Sequence, residues 1–324
     1  MTDRTLPGLS HAFDAATGRG WAVACGDVLL RLAELPAETY DGILTDVPYS
    51  SGGQFRGDRN LPTSAKYQTS DSEATYPDFY GDTRDQLGFM LWVQTWLAQA
   101  WRIAKPGAVF GTFIDWRMLP AVTTAIQSAG WTLRGIAVWR KTIARRQLGR
   151  LAQEAEFFPW ASKGALPMDR PVPALPGAWE PEDAPYGELD VREDAPAGWW
   201  NLPPVGEGRE HLTEKPVALM RQIARMVLPG GHILDPFAGA GSTAVGALLE
   251  GRTCDLLELG PEYAQITARR LAEFDAQAGR GAFAAGQPAL FGAAALEPRP
   301  PSKPAAKRRP GKGRRRRGDD GAIA

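Results

Sequence analysis

Apolar residues in this chain gather in short runs that close on an acid, the pattern of strands buried on both faces. Tyr40-Asp41-Gly42-Ile43-Leu44-Thr45-Asp46, Gly231-His232-Ile233-Leu234-Asp235 and Cys254-Asp255-Leu256-Leu257-Glu258 predict three such strands, and Trp131 to Lys141 predicts a fourth. Longer spacings predict helices between them. Ser242 to Gly251 reads as a helix whose Ala244, Gly246 and Ala247 permit close packing on a sheet. A helix follows Cys25-Gly26-Asp27 and runs to Leu35-Pro36. Another opens at Lys215-Pro216, with proline tolerated in the first turn and Leu219, Met220, Ile223, Met226 and Val227 on one face. Strands alternating with helices over 324 residues, 44% of them apolar, predict one large α/β core with room for an insertion.

Two of the strand ends carry candidate chemistry. After the run ending at Asp235 come Pro236-Phe237-Ala238-Gly239-Ala240-Gly241-Ser242-Thr243. Gly239 and Gly241 remove Cβ atoms where the backbone must bend and approach a ligand, and the helix beyond presents unpaired N–H groups. Glu258, at the end of the following strand, is placed to accept hydrogen bonds from both hydroxyls of a ribose. The loop by itself also satisfies the dinucleotide fingerprint G-x-G-x-x-G/A followed by an acid, so a nicotinamide cofactor stays open on this fragment. The preceding Asp235-Pro236-Phe237 resembles the start of this loop in S-adenosylmethionine-dependent methyltransferases, which carry an acid and an aromatic there, whereas dinucleotide folds usually have an apolar run straight into the first glycine.

The second strand end reads Asp46-Val47-Pro48-Tyr49 and continues into Ser50-Ser51-Gly52-Gly53. A planar exocyclic amine has its lone pair delocalised into its ring. An acceptor pair made of the Asp46 carboxylate and the Val47 carbonyl can bond both N–H groups and favour a more tetrahedral nitrogen, at about 1.5–3 kcal/mol for a bond to a charged group. Tyr49 would stack on the base for about 1–3 kcal/mol. Taken alone, the four residues also fit a strand that simply ends in a proline turn.

In this order the two motifs resemble the amino-methylating DNA methyltransferases of the permuted, beta branch, in which the catalytic motif precedes the cofactor motif. The likeness covers roughly residues 20–164 and 211–274 and takes in Cys25-Gly26-Asp27, Glu156 to Gly164, and His211-Leu212-Thr213-Glu214-Lys215-Pro216. It implies a circularly permuted Rossmann-like fold with an inserted recognition region. It further implies methyl transfer from S-adenosylmethionine by direct in-line attack on a flipped base of double-stranded DNA, at a specific site. The aspartate at position 46 points to adenine N6, since cytosine-N4 enzymes of this branch mostly carry serine there. By the same resemblance Asp235 to Gly241, Ser242, Thr243 and Glu258 hold the cofactor, Lys215 helps with its methionine end, and Asp27 lies near its adenine, although a helix N-cap serves Asp27 equally well. The family has a proline where this chain has Val47. The carbonyl survives the exchange; the fixed φ does not. Cytosine-N4 methylation, a catalytically weakened DNA-binding homologue and a nicotinamide oxidoreductase are the competing readings.

The expected organisation is an extension at 1–20, a catalytic half at 21–164, a proline- and acid-rich recognition region at 165–210, a cofactor half at 211–275 and a disordered basic tail at 276–324. Residues 50–85, with Arg56 and Arg59 among scattered aromatics, predict a lid over cofactor and extruded base. Lys141, Arg145, Arg146 and Arg150 form a basic cluster suited to phosphate or guanine contact. Lys plus Arg and Asp plus Glu both number 37, yet ten basic residues crowd between Arg299 and Arg317, so the tail can tether DNA by counterion release. Gln287-Pro288-Ala289-Leu290-Phe291 resembles sliding-clamp peptides. Two cysteines, Cys25 and Cys254, fall in predicted strands and three histidines are scattered, so no metal site is expected. With no transmembrane run or signal peptide visible, a cytoplasmic protein of prokaryotic or phage origin is expected, with a homodimer left open.

Overall fold

In the computed structural model the described residues are 15–50, 84–141, 148–149, 151, 153–167, 169–173, 175, 199–200 and 214–278. They build one nine-stranded sheet in the order β1-β2-β9-β8-β3-β4-β6-β5-β7. The strands are β1 (Ala15–Gly18), β2 (Trp21–Cys25), β3 (Tyr40–Thr45), β4 (Ala104–Thr112), β5 (Thr132–Arg140), β6 (Ala155–Ser162), β7 (Trp199–Trp200), β8 (His232–Asp235) and β9 (Thr253–Glu258). From β2 to β4 all neighbours are parallel, while β6 runs antiparallel to both β4 and β5. This is the permuted Rossmann-like sheet: β3, early in the chain, lies directly beside β8, with Ile43 opposite Leu234. On one side of that pair the chain builds outward through β9 and β2, and on the other through β4. The C-terminal ends of β3 and β8 therefore meet at the topological switch point, where open α/β sheets bind ligands.

Helices cover the sheet: α1 (Val28–Glu34), α2 (Gln86–Ile103), α3 (Leu119–Ser128), α4 (Val217–Ala224), α5 (Ser242–Leu249) and α6 (Pro261–Ala278). The apolar stripe of α2, Phe89, Val93, Trp96, Leu97, Ala100 and Ile103, is buried at helical spacing. Asp85 starts that helix by accepting from the Gly88 N–H at 2.7 Å, a cap worth about 0.5–2 kcal/mol. Trp96 meets Phe110 of β4 and Phe237 of the glycine turn, with ring centroids 6.0 and 5.3 Å apart, so the core reaches the edge of the site. At the other end of the sheet Asp41 ties three strands, accepting from the His232 N–H and from the Lys105 ammonium, each at 2.9 Å.

Several elements differ from the sequence expectation. β1 pairs with β2 ahead of the expected boundary at residue 21, and Trp199–Trp200 adds a parallel edge strand to β5, which no periodicity signals in a two-residue stretch. The small residues of α5 serve a neighbouring helix as well as the sheet. A Cβ on Gly246 would stand 2.7 Å from the Met220 carbonyl carbon and 2.8 Å from the Arg221 nitrogen of α4. Because those atoms are backbone, they cannot swing aside. Gly246→Ala is expected to lower stability by about 1–3 kcal/mol, read as a lower urea midpoint with an unchanged slope.

Candidate active site

The turn after β8 is built around Asp235. Its buried carboxylate accepts from the Thr45 hydroxyl at 2.5 Å and from the Phe237 N–H at 3.0 Å, so the cofactor-type turn is bonded to the catalytic-type strand. Burial pushes this carboxyl up to about 6, against the pull of Thr243, Thr45 and Phe237. Gly239 and Gly241 take φ of 51° and 79°, the left-handed region that costs a residue with a Cβ. Ser242 and Thr243 then open α5, both buried. Pro236 and Ala238 are buried beneath the turn, and Phe237 is half-buried against Trp92 and Trp96.

Glu258 closes the turn from the end of β9. Its Oε2 accepts from the Gly239 N–H and its Oε1 from the Gly260 N–H, both at 2.9 Å. Each oxygen keeps a second lone pair for a ligand hydroxyl. Burial pushes the carboxyl up to about 7 even with those backbone bonds opposing it. Asp27 stands at the adjacent strand end, where the Gly26 N–H bonds the Glu258 carbonyl. It caps α1, accepting from the Leu29 N–H at 2.7 Å, and its side chain is exposed.

Asp46 leaves the end of β3 beside this turn. Val47 is buried in the core, and its N–H, an atom proline lacks, lies 3.5 Å from the Thr112 hydroxyl. Pro48 and Tyr49 are half-buried, and Ser50 turns the chain with φ 54°. The Tyr49 hydroxyl donates to Glu156 Oε2 at 2.6 Å, which fixes the ring in place. Lys215 lies on Asp46: its Nζ is 2.5 Å from Asp46 Oδ2 and 3.4 Å from Glu156 Oε2. The other Asp46 oxygen, Oδ1, is buried and hydrogen-bonded to none of the described residues.

Glu156 joins this cluster without having been a candidate in its own right. It sits in the stretch Glu156 to Gly164 singled out above, but its role depends on contacts with Tyr49, Lys141 and Lys215 that are far apart in sequence. Lys141, expected on the DNA-contacting cluster, donates to Glu156 Oε1 at 2.8 Å. Arg56, Arg59, Arg145, Arg146, Arg150, nearly all of the lid, most of the recognition region, the Gln287–Phe291 peptide and the basic tail lie outside the described residues. Among the described residues no group of His, Cys, Asp or Glu could hold a metal ion, and no helix is long and apolar enough to cross a membrane.

An acid-proline-aromatic motif and a glycine turn thus stand at the ends of neighbouring parallel strands. The DNA methylase family of N6 and N4 methyltransferases matches residues 40–269, and the chain belongs to that family as a DNA methyltransferase. It is similar to YubD of Escherichia coli (strain K12), a candidate methylase, with 29% identity over 76% of this chain and 88% of that protein. It is also similar to the DNA adenine methyltransferase YhdJ of the same organism, with 25% identity over 76% of this chain and 81% of YhdJ. Among solved structures it resembles the cytosine-N4-specific PvuII DNA methyltransferase, with 16% identity, 78% and 87% of the two chains covered and a TM-score of 0.56. The Thermus thermophilus protein TTHA0409, described in complex with S-adenosyl-L-methionine, aligns at 19% identity, 77% and 92% coverage and a TM-score of 0.51. At these identities the structural likeness establishes the shared fold.

One ion pair holds the site together from behind. Glu214 accepts from the Ser242 hydroxyl at 3.2 Å and pairs with Arg270 at 2.6 Å, with both side chains buried; Arg270 also donates to the Ala240 carbonyl at 2.8 Å. Arg270→Met removes this buried ion pair and is expected to cost about 3–5 kcal/mol, seen as a fall in thermal midpoint. A double variant with Glu214→Gln should recover part of it.

Proposed function

We propose that this protein transfers the methyl group of S-adenosylmethionine to N6 of adenine in double-stranded DNA, at a specific site. One observation carries the reading: Asp46 stands at the switch point beside the glycine turn, one carboxylate oxygen held by Lys215 and the other buried without a described partner. A buried acceptor of that kind is satisfied by an N–H donor brought in by a substrate. The cofactor fits the residues present. The Asp235–Thr243 turn leaves room for a close backbone approach, and Glu258 offers lone pairs at the place for a ribose. When bound, S-adenosylmethionine supplies a methyl group activated by a sulfonium.

The chain's own residues do the rest. Asp46 Oδ1 accepts one amine proton and the Val47 carbonyl the other, which localises the lone pair on nitrogen. Tyr49, anchored through its hydroxyl, offers a fixed ring face for the base. The amine so oriented would be the nucleophile toward the methyl that the cofactor supplies, and the proton the amine sheds would leave by way of Asp46 or solvent. An acid rather than a serine at position 46, together with the likeness to YhdJ, supports adenine over cytosine.

The test is incubation with methyl-labelled S-adenosylmethionine and unmethylated genomic DNA, followed by digestion and separation of nucleosides. Label is expected in N6-methyldeoxyadenosine. Label in N4-methyldeoxycytidine would move the assignment to the other amine, and no label with cofactor bound would point to a weakened DNA-binding homologue. Stabilisation by NAD in place of S-adenosylmethionine would overturn the cofactor.

Glu258 gives the cofactor step a pH dependence. Its carboxyl titrates at about 7 without ligand, and its anion is the better acceptor for ribose hydroxyls. Binding therefore requires loss of a proton below that pH, so affinity weakens as pH falls. Calorimetry is expected to show S-adenosylmethionine binding about tenfold more weakly at pH 6 than at pH 8, with much of the dependence lost in Glu258→Gln.

A further inference from the structure

We infer that Lys215 is a positioning residue for the transfer: it pins Asp46 Oδ2 as an ion pair, so that the carboxylate stays an acceptor and offers Oδ1 alone to the amine. The inference rests on the function proposed above. It departs from what family resemblance implies for this stretch, the methionine end of the cofactor, because the structure places the ammonium on the catalytic acid.

The geometry is that of a built site. Lys215 is 6% exposed, and three aromatic rings wall its ammonium: Tyr49 at 5.3 Å, Phe113 at 5.2 Å and Trp139 at 5.8 Å. Cation–π contact and exclusion of water strengthen the pairing with Asp46. The next residue back, Glu214, is clamped to Ser242 and Arg270. A single peptide unit thus ties the catalytic acid to the start of α5, and with it to the cofactor turn.

Charge counting shows what Lys215 does. The ionisable groups around Asp46 are Glu156 from β6, Lys215 ahead of α4, Asp235 from β8 and the Tyr49 hydroxyl, while Lys141, beyond β5, pairs with the other oxygen of Glu156. The inner four, Asp46, Glu156, Lys141 and Lys215, sum to zero. Glu156 has both lysines: burial would raise its carboxyl, but Lys215 and Lys141 outweigh this and hold it at about 2. Asp46 has an ion pair with Lys215 alone among the described residues. Burial raises its carboxyl and Glu156 adds to the rise, while Lys215 and, more weakly, the Tyr49 hydroxyl oppose it. Burial alone would lower the Lys215 ammonium, yet Asp46 and Glu156 raise it on balance. Asp46 is therefore the carboxylate that takes up a proton once Lys215 is gone. A protonated Asp46 presents a donor where the amine needs an acceptor.

The test compares Lys215→Met and Lys215→Arg with the unaltered full chain. Lys215→Met is expected to lower kcat about 100-fold, with the KM for S-adenosylmethionine within about threefold of the unaltered value. The acid limb of its kcat profile should rise by about one pH unit or more. Lys215→Arg should restore part of kcat and return the limb. Independently of activity, carbon-13 carboxyl NMR of the ligand-free protein, with Asp46→Asn for assignment, should show Asp46 titrating higher in Lys215→Met. The double variant Asp46→Asn/Lys215→Met should melt above Lys215→Met, even if the single variant is too unstable to assay.

An unmoved Asp46 titration, or a kcat unchanged or raised in Lys215→Met, would overturn the inference. A loss confined to cofactor KM would return Lys215 to the methionine end. If the unaltered protein transfers no label to DNA, the proposed function fails while the NMR and melting arms still judge the pairing.

Discussion

The lateral pairing of β3 with β8 is the constraint on which the molecule depends. Ile43 opposite Leu234 sets the register, and from it follows that Asp46 and Asp235 emerge at one sheet edge although they are far apart in the chain. Both ends of that pair are fastened by side chains. Asp41 receives the His232 N–H at the start of the strands, and Thr45 donates to Asp235 at their finish. A slip of one residue would turn Thr45 away from Asp235 and exchange the buried and ligand-facing sides together. The buried acid in the turn is costly unless its lone pairs are used. Thr45 from the other half of the fold uses one, so the glycine turn after β8 and the end of β3 stabilise each other.

What the sequence made legible is what is local. Runs ending in acids located β3, β8 and β9 to within a residue, and the glycines at 239 and 241 occupy left-handed positions as expected of a tight turn. The partners of the acids were not legible. Glu156 receives bonds from Tyr49 and Lys141 and faces Lys215, and each lies on a different element. Lys141 illustrates the difficulty: beside three arginines in sequence it reads as part of a phosphate-binding cluster, and in space it pairs with Glu156, the carboxylate that holds the Tyr49 hydroxyl. Gly246 is similar. A small residue in a helix announces close approach without naming the neighbour, and the neighbour proved to be the backbone of α4.

Charge and burial explain why so many ionisable groups lie so close together. An isolated carboxylate under the sheet edge would neutralise itself by taking up a proton. Pairing two carboxylates with two lysines keeps Glu156 ionised and gives Asp46 an anionic partner state, at the expense of a network in which no member can be removed alone. The same reasoning separates this cluster from Glu258, which accepts from backbone N–H groups and, among the described residues, pairs with no cation. Backbone dipoles hold it in place without fully offsetting its burial. Its carboxyl is pushed up to about 7 as a result.

The exchange of a proline for Val47 fits the same logic. A proline would fix φ and stiffen the turn by its own covalent geometry. Valine gives that up, but its side chain is buried in the core and its N–H approaches Thr112. On either side of it, Asp46 is tied to Lys215, and Tyr49 is tied through its hydroxyl to Glu156. Ser50, buried in a left-handed conformation, fixes the exit of the chain. The motif is held by contacts from β4, β6 and the segment ahead of α4 rather than by a ring, so its rigidity depends on the charge cluster being intact. Lys215 therefore bears on the geometry of the Val47 carbonyl as well as on the charge of Asp46.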